Sequence, residues 1–125
     1  MSVSGQESAY RLEDLQRELR EFRDERDWAQ FHDPKSLILA LVGEVGELAE
    51  LFQWVPADEA AARFGDGLPR QRAAEEMSDV LIYLLGLASI LDIDLLGAAR
   101  DKLASSRERF PAQDVTGVAP RKGGI

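Results

Sequence analysis

Residues 41–54 read LVGEVGELAELFQW, and residues 75–88 read EEMSDVLIYLLGLA. Both stretches are strongly helical in character, and each carries two carboxylates three residues apart: Glu44 and Glu47 in the first, Glu76 and Asp79 in the second. On an α-helix, positions i and i+3 share a face, so each pair points its carboxylates the same way. Two such helices packed together gather four negative groups in one place, an arrangement that is costly unless a hard cation neutralises it. A single acidic pair at this spacing is ordinarily a solvated face. Here Glu44 lies between Val42 and Val45, Glu47 adjoins Leu48, and Asp79 precedes a nearly continuous apolar run. Charges at the edges of buried helices are seldom decorative.

Working outward, the pattern is helical from Tyr10 to about Trp28, with Leu12, Leu15, Leu19 and Phe22 on one face. His32-Asp33-Pro34 breaks it, with Asp33 as N-cap and Pro34 as first residue of the next helix. That second helix is expected to end near Trp54, with Leu37, Leu41, Val45, Leu48 and Phe52 on its apolar face. Gly43 and Gly46 lie inside it. Each costs roughly 1 kcal/mol in a helix, which suggests close approach by another helix or a ligand. Pro56 ends this helix, and a short helix (about Asp58 to Phe64) leads to a Gly-Asp-Gly turn. A long helix then runs from about Pro69 to Leu91. Its segment Leu81 to Leu87 is apolar nearly all round, which implies a central position or an interface between subunits. Asp92 or Asp94 caps a last helix, Leu95 to Arg109, stopped by Pro111. The expected fold is all-α, a bundle of four to five helices in one domain over residues 1–111. The tail, residues 112–125, reads as an extended arm or a disordered end.

The bulk composition narrows the chemistry. A chain of 125 residues with 45% apolar content fits one domain with a modest core. With no cysteine, disulfides, thiolate catalysis and sulfur-ligated zinc are excluded. The net charge of −8 gives no pull toward a nucleic-acid polymer. The longest apolar run, Val80 to Leu91, falls short of the ~20 residues that span a membrane, and the N-terminus lacks a basic-then-apolar signal pattern. A cytoplasmic protein is the expectation.

All-oxygen ligation by Glu44, Glu47, Glu76 and Asp79 favours Mg2+, with Mn2+ as a substitute, over zinc or copper. A carboxylate di-iron bundle needs Glu-x-x-His pairs, and the one histidine, His32, stands outside both acidic pairs. Carboxylate-bound magnesium commonly touches substrate phosphates as well. The aromatic residues Trp28, Phe31, Trp54 and Tyr83 sit near helix ends or on the acidic face, Tyr83 four residues after Asp79 and Trp54 seven after Glu47. Beside a metal–phosphate site, such rings can stack on a nucleobase; ordinary packing with an indole at the rim is the simpler account. His32 is either a turn residue or a reader of a base edge. Arg100, Lys102, Arg107 and Arg109 gather in the last helix, where they suit its C-terminus or offset triphosphate charge. Neither a P-loop, a G-x-S-x-G elbow nor an EF-hand loop is present.

With both acidic pairs placed, the chain resembles the all-α NTP pyrophosphatases, the MazG-like superfamily, and within it the dCTP pyrophosphatase branch. The pattern E-x-x-E, spacer, E-x-x-D reads here as Glu44-x-x-Glu47, 28 intervening residues, and Glu76-x-x-Asp79. The likeness extends through FRDERDWAQFHDPKSLILALVGEVGELAELFQW and EEMSDVLIYLLGLA to KLASSRERFP, about residues 12 to 111.

The resemblance implies Mg2+-dependent hydrolysis of a nucleoside triphosphate to the monophosphate and pyrophosphate. It implies Glu44, Glu47, Glu76 and Asp79 as catalytic metal ligands. Trp28, Phe31, His32, Trp54 and Tyr83 match the base and sugar pocket, and Lys102 matches a lysine that approaches the phosphates. It also implies a homo-oligomer, a dimer or a dimer of dimers, with the site at a subunit interface. Two departures leave the preferred base open between dCTP and a modified pyrimidine nucleotide. Ser106 stands where branch members have Asn, and Leu19 stands where some relatives carry a base-contacting His. A non-catalytic nucleotide-binding or oligomeric helical scaffold is the competing expectation.

Overall fold

The computed structural model describes residues 9–119, and among them every regular element is helical. In chain order these are α1 (Leu12–Glu25), a 3-10 turn (Ala29–Phe31), α2 (Pro34–Phe52), α3 (Ala57–Arg63), α4 (Gly67–Ile90), α5 (Leu95–Arg109) and α6 (Ala112–Val115). The chain divides into two compact units. The first runs to Asp92 and contains α1 to α4; the second begins at Ile93 and contains α5 and α6. The last residues of the expected tail lie outside the described residues.

Local chemistry fixes the helix ends. Asp33 caps α2 by accepting the Ser36 backbone N–H at 2.9 Å and the Ser36 hydroxyl at 2.7 Å, with Pro34 at the first helical position. Asp94, rather than Asp92, caps α5 by accepting from the Gly97 N–H at 3.0 Å. A Cβ at Gly97 would collide with that carboxylate. Gly67 enters α4 with φ +66, a backbone angle that glycine adopts without strain. Helix α1 stops at Glu25, short of the expected Trp28. Asp27 takes φ +53, which reverses the chain and hands Trp28 to Phe31 to the separate 3-10 turn. In the second unit, Ala112–Val115 closes a further helical turn where the sequence suggests only an arm.

The first unit is organised by α4, which packs along α2 and also against α1. On α2 the sheltered positions include Leu37, Leu41, Glu44, Leu48 and Phe52; on α4 they include Ala73, Glu76, Val80, Tyr83 and Leu87. Both sets advance in three- and four-residue steps, the spacing of a helix–helix seam. The expected apolar face of α2 therefore needs one correction. Glu44 takes the sheltered position, while Val45 faces out at 47% exposure. Leu85 and Ala88, with Leu37 and Ala73, form the buried apolar centre. The ring of Phe52 stacks on Phe64 at 4.0 Å, tying the end of α2 to the end of α3. A Cβ at Gly43 or Gly46 would meet nothing within 4 Å, so among the described residues of the first unit no other helix approaches them closely. A row of apolar side chains on α2 and α4 stays open, Leu39, Val42 and Met77 being about 60% exposed. No single helix is long and apolar enough to cross a membrane among the described residues.

Leu85 is 1% exposed; truncating it to alanine is expected to lower stability by about 2–5 kcal/mol. Asp33→Ala removes only the cap and is expected to cost about 1 kcal/mol. Urea melts of the two variants check the ranking. A Leu85→Ala loss no larger than that of Asp33→Ala would contradict the central place of Leu85.

Candidate functional site

The helix registers converge on one cluster. One carboxylate oxygen each from Glu44 and Glu47 of α2 and Glu76 of α4 lie within 4.8 Å of one another. Glu44 and Glu76 are half-buried in the seam, and Glu47 stands at its open edge. One oxygen of each sheltered residue, Glu44 Oε2 and Glu76 Oε2, is buried without a hydrogen-bond partner. Asp79, one turn beyond Glu76, is exposed and close enough for its charge to act on both.

The electrostatics follow from this crowding. The Glu44 carboxyl is held above its usual range, first by desolvation, then by the charge and hydrogen bonding of Glu47, with Asp79 and Glu76 adding to it. Glu76 is raised for the same leading reasons, desolvation and then Glu47, with Asp79 and Glu75 behind. Buried carboxylate oxygens without partners are rare, because each costs its lost hydration. A hard divalent cation satisfies them directly: the donors are all oxygen, they converge, and they carry the opposing charge. The residues present therefore fit a magnesium-type ion.

Beside the cluster, Asp79 lines a cleft of about 410 Å3. Helix α4 supplies Ile82, Tyr83 and Gly86 to its wall; α1 supplies Leu19, Phe22 and Arg23; Trp28, His32 and Leu37 complete it. The Phe22 and Trp28 rings meet edge to face at 5.6 Å, and the Arg26 guanidinium covers Phe22 from 3.8 Å. Trp28, His32, Tyr83 and Asp79, widely separated in sequence, are thus brought to one cleft. Phe31 and Trp54 are not among its walls, standing 63% and 85% exposed. Lys102 belongs to the second unit, where it is exposed on α5. Ser106 on the same helix is buried, and its hydroxyl donates to the Lys102 carbonyl at 3.0 Å and accepts from Arg109 at 3.4 Å. That hydroxyl is engaged within its own helix.

Arg23 is the residue that sequence reasoning missed. It is 9% exposed, and its Nε has no partner. The signal was present: Arg23 continues the step Leu12, Leu15, Leu19, so a charge occupies a position on the apolar stripe of α1.

The chain is similar to a pyrophosphatase of known structure from Archaeoglobus fulgidus, with a TM-score of 0.72 and 36% identity over 84% of this chain and 96% of that one. The chain belongs to the all-α NTP pyrophosphatases of the MazG-like superfamily. It is also 52% identical over 110 residues to dCTP pyrophosphatase 1 of Bos taurus, and 54% identical over 103 residues to that of Homo sapiens. These alignments cover 86% and 81% of this chain but 64% and 59% of the two relatives, so the chain spans about three-fifths of their length. No protein-family model matches it.

A carboxyl raised above its ordinary value of 4.5 binds more protons in the folded than in the unfolded chain between those two values, so its ionisation opposes folding as pH rises. In EDTA, Glu44→Gln is therefore expected to be more stable than the wild type at pH 8. The advantage should shrink as pH falls toward 4.5. Millimolar Mg2+ should reverse the order, since only the intact cluster gains from the ion. Thermal melts across pH with and without Mg2+ test this, and a pH-independent advantage that ignores Mg2+ would count against a strained cluster.

Proposed function

We propose that the chain is a Mg2+-dependent nucleoside triphosphate pyrophosphohydrolase. It hydrolyses dCTP or a modified pyrimidine deoxynucleotide to the monophosphate and pyrophosphate, and so controls a nucleotide pool. The observation that carries this is the pair of unpartnered buried oxygens, Glu44 Oε2 and Glu76 Oε2, in an acidic cluster whose neighbour Asp79 lines an aromatic cleft. The name dCTP pyrophosphatase 1, borne by relatives at 51–54% identity, supports the same reaction.

Glu44, Glu47, Glu76 and Asp79 would hold the metal. When bound, Mg2+ supplies charge neutralisation and polarisation of phosphoryl oxygens; Mn2+ would serve in its place. Glu47, the most open of the three clustered residues, orients the attacking water and accepts its proton. The new bond forms between the water oxygen and the α-phosphorus, and the bond from that phosphorus to the bridging oxygen breaks, releasing pyrophosphate. Trp28, His32 and Tyr83 hold the base and sugar, and the low polarity of their cleft excludes competing water. Lys102 offsets phosphate charge. Phe31 and Trp54, open in the isolated chain, complete the site once subunits assemble. The exposed apolar row of Leu39, Val42 and Met77 supports a homo-oligomer, a dimer or a dimer of dimers. Residues 1–111 serve as the catalytic domain, acting in the cytoplasm, with neither a membrane nor a nucleic-acid polymer as partner.

Pyrophosphate release from a panel of deoxynucleoside triphosphates in Mg2+ tests the reading. Glu47→Gln and Asp79→Asn are each expected to lower kcat by at least about 100-fold, the scale of lost acid–base or charge stabilisation. EDTA should abolish turnover. Undiminished turnover in both variants would remove these residues from the chemistry.

A further inference from the structure

Arg23 stands apart from every other charged residue of the first unit. It is nine-tenths buried, it lines the aromatic cleft, and among the described residues it makes no ion pair. A guanidinium carries five donors. Here Nε has no acceptor, and one terminal nitrogen reaches only Ser89 Oγ, at 3.5 Å. Sheltering a permanent charge with so little compensation is unfavourable in a chain of net charge −8, where acidic partners are plentiful. The arrangement makes sense if the missing acceptors arrive with a ligand.

Helix α4 serves as a ruler for which part of a ligand arrives there. Asp79, Tyr83 and Gly86 line the cleft in turn, and Ser89, which Arg23 touches, follows one turn after Gly86. Ser89 stands ten residues beyond Asp79, about 15 Å at 1.5 Å per residue. Arg23 is therefore at the end of the cleft remote from the carboxylate cluster. A triphosphate held by that cluster keeps its phosphates at the other end, and the group that extends toward Arg23 is the base. Leu19, one turn earlier on α1, also lines the cleft and offers no hydrogen bond.

We propose that Arg23 reads the base. Its planar fork donates two parallel hydrogen bonds to two adjacent acceptors, O2 and N3 of cytosine. Thymine and uracil place N3–H between two carbonyls and set a donor against the fork. Adenine pairs an acceptor with an amino donor along its major-groove edge, whereas guanine offers O6 and N7 as a similar acceptor pair. Guanine is thus the informative control. This assignment rests on the nucleotide reading of the site and specifies the base that the site prefers.

The test is kcat/KM for dCTP, dTTP, dATP and dGTP with the full chain, the wild type against Arg23→Gln and Arg23→Lys. A good bidentate contact discriminates by roughly ten- to hundredfold. The dCTP-to-dTTP ratio should fall by about that factor in Arg23→Gln, chiefly through KM for dCTP. Arg23→Lys keeps the charge and most of the stem but not the fork, so it should lose most of the ratio as well, and it decides the matter if the glutamine variant does not fold. A second readout needs neither metal nor turnover: calorimetric binding of dCMP and dTMP. Wild type should favour dCMP, and the variants should not. Absence of hydrolysis with Arg23-dependent dCMP binding would refute the pyrophosphohydrolase reading and leave this one standing. An unchanged dCTP-to-dTTP ratio in Arg23→Lys, or an Arg23-dependent preference for dGTP over dCTP, overturns it.

Discussion

Like charges sheltered together set the terms for this fold. Glu44 and Glu76 occupy seam positions that leucine or valine would fill in an ordinary helix pair, and Glu47 closes on both from the edge. Without a cation, desolvation and mutual repulsion both act against the seam. The surrounding contacts must therefore hold α2 against α4 despite that cost. Leu37, Ala73, Leu85 and Ala88 supply the buried apolar contact, and the Asp33 cap and the Phe52–Phe64 stack fix the two ends of α2. A cation held by the cluster would relieve this least comfortable contact and so would couple occupancy to rigidity.

Much of this was legible in the sequence, and the reasons are specific. The two E-x-x-[ED] pairs were visible because the three-residue step survives any rotation of the helix. Asp33-Pro34 announced its cap because both residues act through local geometry. The sheltered register was harder. Val45 and Glu44 are neighbours, and hydrophobicity favours the valine as the inward residue. The structure turns the glutamate inward because the seam follows Leu37, Leu41 and Leu48 in three- and four-residue steps, and Glu44 completes them. Periodicity judged by polarity alone discards a charge that the helix register turns toward the core.

The other differences have the same character. The end of α1 depends on the positive φ of Asp27, a single backbone angle that composition does not reveal. Arg23 was hidden for the opposite reason to Glu44: in a segment as rich in arginine as LREFRDERDW, one more charge looks like surface. Only its position one turn after Leu19 marks it as inward. Trp54, which its spacing after Glu47 and the family resemblance assign to a pocket wall, stands open beyond the end of α2 in the single chain.

The 3-10 turn at Ala29–Phe31 has a consequence for how such a protein changes over time. Its backbone bonds, Phe31 N–H to Trp28 and His32 N–H to Ala29, are wholly local. Leu19, Phe22 and Arg23 of α1, with Trp28 and His32 at the two ends of this turn, line one part of the cleft, whereas the clustered carboxylates ride on α2 and α4. Part of the cleft wall is thus carried apart from the carboxylates, while Ile82, Tyr83 and Gly86 share α4 with Glu76. On the proposed reading, exchanges along α1 would retune which nucleotide is accepted while the acidic seam stays intact, and a lineage would explore new substrates without first surrendering its reaction.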